Sequence, residues 1–395
     1  MAALDTTQSA GPSSWFQDER YRSLFYQLLT LVGFVGFFWF ILHNTVENMA
    51  AKNLSLGIDF LESIAGFDIS FKLDEFSLST SNYWRVFYIG LLNTLFVSAL
   101  GVVCATLVGF TFGVLRLSPN WIVSRLVYAY VEFVRNVPLL LQIFIWAAVF
   151  LYLPQIRDAY TIGDAVFLSN RGLEMPLPIT GDSFIFTVIA LVIGLVASFI
   201  VRRWAKARQA ATGQFFPAGW ASLGLIVVFP LLVFLVTGMP LEFQLPEIKG
   251  FNFQGGINVP PSFMALWLAL SLYTAAFISE IVRAGIQSVS HGQTEAAYAV
   301  GLRPGRTLRL VIIPQALRVI VPPLTSQYLN LVKNSSLAAA IAYPDIMLVF
   351  AGTVLNQTSQ AIEVMAITMG IYLAFSLAIA ALMNWYNRSV ALVQR

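Results

Sequence analysis

The chain carries little charge for its size. Lys, Arg, Asp and Glu make up 11% of its 395 residues, whereas a soluble domain carries roughly 25%. Apolar residues make up 58% of the chain, and this combination indicates a membrane protein. The net charge of +3 is too small to indicate nucleic-acid binding, and no basic run with interleaved aromatic residues is present.

Cysteine, histidine and catalytic motifs are also scarce. Cys104 is the only cysteine, which excludes a disulfide within the chain. The two histidines, His43 and His291, are too far apart to predict a metal site. The stretch nearest to a phosphate-binding loop, GLRPGRTLR, has the wrong spacing and no lysine. We therefore expect a non-catalytic chain that binds no cofactor itself.

Eight stretches are long and apolar enough to span a bilayer, which takes about 20 residues. They cover residues 24–43, 87–115, 126–153, 183–201, 219–238, 262–284, 312–333 and 361–386. The seventh contains Pro314, Pro322 and Pro323, so we expect it to be kinked or broken. Acidic residues such as Asp5 and Asp18 precede the first stretch, and no cleavage site follows it. We therefore expect an uncleaved anchor rather than a signal peptide.

The distribution of Lys and Arg predicts the orientation. With the N-terminus inside, only seven of the 23 basic residues lie outside, namely Lys52, Lys72, Arg85, Arg157, Arg171, Lys249 and Lys333. The remaining 16 lie inside, and eight spans then place both termini in the cytoplasm. This orientation also places residues 294–314 inside.

We divide the chain into four regions. Residues 1–86 form an anchor helix and a large outer loop, and residues 87–182 form two core helices with a second outer loop. Residues 183–238 form an accessory transmembrane hairpin, because removing two spans leaves the topology of the rest unchanged. Residues 239–395 contain a third outer loop and the remaining core helices. The outer loops are either partly ordered connections or docking surfaces for an external partner.

The most informative stretch is residues 294–314, TEAAYAVGLRPGRTLRLVIIP, between two very apolar segments. We expect residues 295–300 to form a helix of under two turns, with Glu295 in the first turn, where a carboxylate complements the helix dipole. Ala296 and Ala297 are strong helix formers with little bulk, and Gly301 is placed to cap the C-terminus. Three arginines follow with no acid nearby: Arg303, Arg306 and Arg309. A short helix of this kind suits docking into a groove of another protein.

This stretch resembles the EAA loop of bacterial ABC importer permeases, which runs Glu-Ala-Ala, three residues, Gly, nine residues and Ile-x-Leu-Pro. Val311 and Ile313 depart from that pattern only by exchanging one aliphatic residue for another. The resemblance implies a coupling helix that sits in a cleft of a separate ATPase subunit. The implied coupling residues are Glu295, Ala296, Ala297, Gly301 and Arg303. An ordinary cytoplasmic loop is the alternative.

A second match precedes the loop. The pattern Ala-x-x-x-Glu-x-x-Arg-x-Gly-Ile-x-Ser, followed by Gly-Gln-x-Glu-Ala, resembles the polar amino-acid permeases. Glu280 and Arg283 are three residues apart, so they share one helical face and we expect an ion pair. That pair either only fixes the structure or takes part in a conformational change.

Polar residues in the second and third spans are candidates for a transport path. Asn93 and Thr94 lie on one face of the second span, where the alternative role is helix packing. Pro138 marks a break in the third span, and Gln142 follows it in an apolar helix. Gln142 either faces the path or makes a helix-to-helix hydrogen bond. Glu132 and Arg135, three residues apart, are expected to pair.

The segment after the seventh span is the strongest candidate for substrate contact. It contains four consecutive polar residues, Lys333, Asn334, Ser335 and Ser336. Polar groups and broken backbone at membrane depth occur in a protein interior or a wet cavity. If the span ends early, Lys333 instead lies in the outer interface.

Together these features predict an all-α polytopic membrane protein with about eight transmembrane helices and a type I ABC importer permease-like core. The resemblance implies the permease subunit of an amino-acid importer in the bacterial inner membrane, most similar to the longer permease of the general L-amino-acid systems. The implied partners are a homologous second permease, an ATPase dimer that binds ATP and Mg, and a periplasmic amino-acid-binding protein. An ion-coupled secondary transporter is the alternative, although acids well inside the spans are almost absent.

Overall fold

The computed structural model describes residues 19–51, 57–250 and 252–390. Asp5 and Asp18, on which the anchor prediction partly rests, lie outside the described residues, as does Lys52.

The described chain is mostly helical. The helices are α1 (Glu19–Ala51), α2 (Tyr83–Leu115), α3 (Trp121–Asn136), α4 (Leu139–Leu151), α5 (Phe184–Thr212), α6 (Ala218–Leu223), α7 (Phe229–Val236), α8 (Pro261–Gln287), α9 (His291–Ala299), α10 (Pro304–Thr307), α11 (Ile313–Asn334), α12 (Leu355–Thr358) and α13 (Ala361–Val390). Three π-helical segments, Gly224–Val228, Leu308–Ile312 and Met347–Val354, join consecutive helices. Short 3₁₀ helices cover Asp59–Glu62, Ile156–Asp158, Gly163–Ala165 and Ser335–Ile341, the last of which extends α11.

The expected membrane spans are present in the described residues. Seven helices are long and apolar enough to cross a bilayer, and the pair α3 and α4 makes an eighth if it counts as one broken span. The axes of α3 and α4 are bent by 109° at the break before Pro138, where the N-cap position of α4 suits a proline. The predicted third span is therefore two short helices.

The predicted seventh span, expected to be kinked or broken, is not broken at its prolines. Pro322 and Pro323 lie inside the uninterrupted helix α11, and Pro314 lies in its first turn. A proline in the first turn costs little, because the backbone N–H it lacks has no helical partner there. Interior prolines are tolerated in membrane helices when neighbouring elements compensate, and the flanking residues Val321 and Leu324 are buried against the bundle.

Helix α8 is the centre of the bundle and packs against α2 through glycine. A β-carbon on Gly109 would lie 2.6 Å from the Ile278 side chain and 3.0 Å from the Ala275 carbonyl oxygen. A β-carbon on Gly113 would lie 2.9 Å from the Ser279 carbonyl oxygen. Small residues of this kind let membrane helices approach closely enough for van der Waals packing to hold them together.

The segments between α4 and α5 and between α7 and α8 form β-strands, which sequence analysis did not predict. The strands are β1 (Tyr160–Ile162), β2 (Val166–Ser169), β3 (Gly172–Met175), β4 (Leu177–Thr180), β5 (Leu241–Gln244), β6 (Glu247–Lys249), β7 (Asn252–Gln254) and β8 (Ile257–Val259). They pair antiparallel in the orders β1-β2-β3-β8, β4-β5 and β6-β7. We call the end of the bundle that bears them the sheet end, and the opposite end, which bears α9, the loop end.

The pairing of β3 with β8 closes the base of the accessory hairpin. Leu173 pairs with Val259, so the chain leaves and re-enters the sheet at neighbouring strands. Between these points, β4 and β5 pair with each other and lead into α5 and α7. The hairpin is therefore arranged as an insertion between two adjacent strands. Glu174 of β3 accepts a hydrogen bond from Asn258 of β8 at 2.6 Å, and burial raises the pKa of its carboxyl above the ordinary value.

The segment from residue 57 to α2 packs on the sheet end of the bundle. Leu61, Ala65 and Ile69 are buried in a cluster with Ile89 of α2 and Ile346. This part of the chain between α1 and α2 is therefore an ordered part of the core.

We predict that Gly109→Ala lowers the stability of the folded protein by about 1–3 kcal/mol, the usual cost of overpacking. The added methyl group meets the backbone of α8, which cannot move aside without shifting the central helix. The unfolding temperature of the purified chain in detergent measures the effect. Gly370→Ala in α13 is the matched control, because its β-carbon meets nothing within 4 Å. Equal unfolding temperatures for the two variants would contradict the packing argument.

Candidate functional site

Helix α9 lies at the loop end, between α8 and α10. It covers His291–Ala299 and thus begins four residues before the predicted start. Glu295 is consequently in the second turn, and the prediction that it complements the dipole in the first turn is wrong. Its carboxylate instead lies 3.0 Å from Nδ1 of His291, one turn earlier. Gly292 has a low helix propensity and disfavours the first turn of α9. A hydrogen bond from Gln315 of α11 to Gln293, at 3.1 Å, stabilises that turn.

Gly301 ends α9 as predicted. Its φ is +80°, in the left-handed region that favours glycine. The Gly301 N–H donates to the Tyr298 carbonyl at 2.9 Å, and the Leu302 N–H donates to the Ala297 carbonyl at 3.0 Å. These two bonds make a Schellman motif, which satisfies carbonyl groups left open at the helix end.

The two alanines of the motif have different surroundings. Ala297 is buried against the bundle, whereas Ala296 is exposed. Tyr298 and Val300 are also exposed, Val300 by 76%. A large apolar side chain that is this exposed at the end of a helix is available to a partner.

The three arginines after α9 are exposed. Within the described part of the chain, no carboxylate lies within 4.0 Å of Arg303, Arg306 or Arg309. The surface beside α9 is therefore positively charged without internal compensation.

The predicted pair of Glu280 and Arg283 is present as part of a larger ionic cluster. Arg283 Nε donates to Glu280 Oε2 at 3.1 Å. Arg116, the residue after α2, also donates to Glu280 and lies 3.7 Å from Glu132 of α3. The cluster thus joins α2, α3 and α8. Sequence reasoning missed Arg116, because its partners are 16 and 164 residues away along the chain.

The expected pair of Glu132 and Arg135 does not form. Arg135 instead lies over the ring of Phe277 of α8, 5.4 Å from its centroid. Glu132 is closer to Arg116, because the packing of α3 on α8 turns the two residues toward different neighbours.

Gln142 stabilises the break between α3 and α4. It is buried, and its Nε2 donates to the carbonyls of Val134 and Val137, both at 2.9 Å. These carbonyls belong to the C-terminal end of α3, where no further helical N–H groups follow. The amide group therefore connects the two helices at the bend.

Asn93 and Thr94 of α2 form hydrogen bonds with residues 343–346. These residues connect the 3₁₀ helix Ser335–Ile341 to the π-helical segment Met347–Val354. Asn93 Nδ2 donates to the Pro344 carbonyl at 2.8 Å, and the Tyr343 hydroxyl donates to the Asn93 carbonyl at 3.0 Å. Thr94 Oγ1 accepts from the Ile346 N–H at 3.0 Å. Asn93, Thr94, Tyr343 and Ile346 are all completely buried. Tyr343 is a further residue that sequence reasoning did not select.

The four polar residues around the end of α11 differ in exposure. Lys333 is exposed, Asn334 is half-buried and Ser335 is fully buried. The hydroxyls of Ser335 and Ser336 donate back to the carbonyls of Val332 and Lys333, both at 2.7 Å. Lys333 therefore presents the only charge of this group, at the helix end where a cation is favoured.

Comparisons with known proteins identify the family. Residues 207–392 match the model of the binding-protein-dependent transport system inner membrane component. The general L-amino acid transport system permease protein AapQ of Rhizobium johnstonii is 51% identical over 100% of this chain and 99% of its own length. The chain belongs to the amino-acid ABC transporter permeases. The putative amino-acid ABC transporter permease protein YhdX of Escherichia coli is 50% identical, over 96% of the permease described here and 97% of its own length.

The solved structure of an amino acid ABC transporter with histidines is also similar to the permease. It is 21% identical, covers 78% of this chain and 95% of its own, and has a TM-score of 0.45.

The candidate residues fall into two groups: those at the loop end, and those within the bundle or at the end of α11. Apart from the buried Ala297, the coupling candidates from Glu295 to Arg303 lie on one exposed surface at the loop end. The cluster of Arg116, Glu280 and Arg283 lies nearby, at the ends of α2 and α8. Of the other candidates, Asn93 and Gln142 donate internal hydrogen bonds through their amide nitrogens, and Thr94 bonds internally through its hydroxyl. Around the end of α11, Lys333, Asn334 and Ser336 each leave part of a polar side chain accessible, whereas Ser335 is buried.

Proposed function

We propose that the permease forms the translocation path of an ATP-driven amino-acid importer and that α9 couples it to a separate ATPase. The geometry of α9 is the observation that best supports this proposal. The helix is short, exposed on one side, fixed by the Schellman motif and anchored to the bundle by Ala297 and Gln293. An exposed helix with a defined end can enter a groove and transmit a displacement without fraying.

The surface of α9 indicates the chemistry of the partner groove. Ala296, Tyr298 and Val300 offer apolar contact, and the three uncompensated arginines favour acidic residues beside it. In this proposal the partner binds ATP and Mg, and the closure of an ATPase dimer switches the permease between outward- and inward-facing states.

We further propose that the loop end faces the cytoplasm, with both termini on that side of the bacterial inner membrane. Arg116, Arg125 and Arg283 lie at the loop end together with the arginines after α9, in agreement with the preference of Lys and Arg for the cytoplasmic side. The sheet end would then meet a periplasmic amino-acid-binding protein. A homologous second permease completes the path.

The substrate path is proposed to pass the end of α11. Lys333 and Asn334 supply a cation and an amide to the carboxylate and ammonium of an amino acid, while Asn93, Thr94 and Gln142 fix the backbone around the path. Contacts of this kind are weak enough for release in each cycle.

Ion-coupled transport is less well supported. Asp345 is completely buried in the bundle, as a coupling carboxylate would be. However, its Oδ1 accepts from the Leu348 N–H at 2.9 Å, and the Tyr372 hydroxyl lies 3.5 Å from its Oδ2. These contacts give Asp345 the structural role of a helix cap.

Gly301→Val should uncouple the permease from the ATPase. A β-branched residue at φ +80° is strained by about 1–3 kcal/mol, which should displace the end of α9. We expect loss of the ATP hydrolysis that the loaded binding protein stimulates, measured in proteoliposomes that contain the complete complex.

Two control variants separate strain from substitution itself. Gly301→Asn should retain stimulation, because asparagine tolerates the left-handed region. Gly305→Ala in α10 should also retain it, because its β-carbon meets nothing within 4 Å. Full stimulation of Gly301→Val would exclude α9 as the coupling element.

Cysteine labelling tests the orientation. In a Cys104→Ser background, Ile162→Cys in β1 should react with an impermeant maleimide added to spheroplasts, whereas Gln209→Cys at the end of α5 should react only after lysis. Both positions are exposed. Labelling of Gln209→Cys in intact spheroplasts would refute the orientation.

The substitution of Lys333 by Gln tests the path. We expect amino-acid uptake to fall about tenfold, the factor that corresponds to losing one hydrogen bond to a charged group. Complex assembly and the affinity of the binding protein should not change. The control is Lys249→Gln at the sheet end, where Lys249 pairs with Glu247 at 3.4 Å. Uptake equal to that of the unmodified permease would remove Lys333 from the path.

A further inference from the structure

A polar cavity at the loop end is not explained by the transport function. It has a volume of about 250 Å³ and lies between the end of α2, the beginning of α3 and the end of α8. Its lining includes Arg116, Arg125, Arg283, Ser124, Tyr128 and Gln287. Three guanidinium groups thus surround one cavity, and no carboxylate lines it.

The charges around the cavity do not cancel. Glu280 and Glu132 contact Arg116, and Glu280 also contacts Arg283. For Arg125, the described residues provide no carboxylate within 4.0 Å. Three cations therefore face two carboxylates, and the cavity retains one positive charge for an anion.

Tyr128 holds two of the cations in place. The guanidinium of Arg116 lies 5.0 Å from the ring centroid, and that of Arg125 lies 6.0 Å from it. Cation–π contacts of this kind orient the side chains before a ligand arrives. Planar guanidinium groups are well suited to the oxygens of a phosphate.

The surface next to the cavity is apolar. On α3, Trp121, Ile122 and Leu126 are 71%, 61% and 67% exposed. They lie beside the ends of two helices long enough to span the membrane. An exposed apolar surface that includes a tryptophan at such helix ends is typical of the zone where headgroups meet acyl chains. A free anion would use the cavity alone, whereas a phospholipid would use both the cavity and the apolar surface.

We propose that this cavity binds the phosphate of an anionic phospholipid, with an acyl chain along Ile122 and Leu126. The bound headgroup compensates the charge of Arg125 and connects α2, α3 and α8 beside the ionic cluster. This role is independent of the proposed transport cycle.

Native mass spectrometry of the full-length permease tests the proposal. After delipidation, the permease should retain phosphatidylglycerol in preference to phosphatidylcholine. Arg125→Gln should reduce the retained phosphatidylglycerol about fivefold, the effect of removing one cation near an anionic lipid surface, and Arg125→Lys should largely retain it. Arg135→Gln is the matched control, because Arg135 lies on the same helix but over Phe277, outside the cavity.

Thermal unfolding distinguishes the two possible sources of phosphate. Phosphatidylglycerol should raise the unfolding temperature of the permease in detergent, and inorganic phosphate at the same concentration should not. Equal retention of the two lipids, unchanged retention by Arg125→Gln, or equal protection by inorganic phosphate would each overturn the proposal. None of these measurements depends on transport, so they are separate from the tests of the proposed function.

Discussion

Gly109 and Gly113 allow α2 to approach α8 so closely that a β-carbon on either glycine would lie within 3.0 Å of a backbone oxygen of α8. In a membrane, lipid is as apolar as leucine, so helices associate through close packing rather than through the exclusion of water. This contact fixes α8 at the centre of the bundle. The other faces of α8 then carry α3, α4 and α11, and the ends of α2 and α8 bring Arg116 to Glu280.

Polar side chains stabilise the places where the backbone of the permease departs from a regular helix. Gln142 satisfies carbonyls at the bend between α3 and α4. Asn93 and Thr94 bind the segment around Tyr343 and Ile346. Irregular backbone inside a membrane protein needs such partners, because lipid offers none. Asn93, Thr94 and Gln142, which the sequence presents as candidates for a transport path, therefore make hydrogen bonds that stabilise the fold.

The accessory hairpin is attached differently from the core helices. Its base is closed by strand pairing, from Leu173 with Val259 to Thr180 with Leu241. Within it, Gly194 of α5 approaches the backbone of Leu225, so the two helical arms pack on each other. The hairpin is therefore held by strand pairing at its base and by helix packing between its own arms.

The sequence by itself determined the membrane class, the spans, the end of α9 at Gly301 and the pairing of Glu280 with Arg283. Each of these depends on local properties: apolar length, the left-handed preference of glycine and the spacing of residues on one helix face. Only the tertiary structure decided that α9 begins at His291, that α11 is unbroken at Pro322, and that Glu132 faces Arg116. It also decided that Asn93 and Gln142 bond internally and that short strands form the sheet end. These features depend on contacts between residues far apart in the chain, and local patterns do not encode the partner that a buried amide or an arginine will meet.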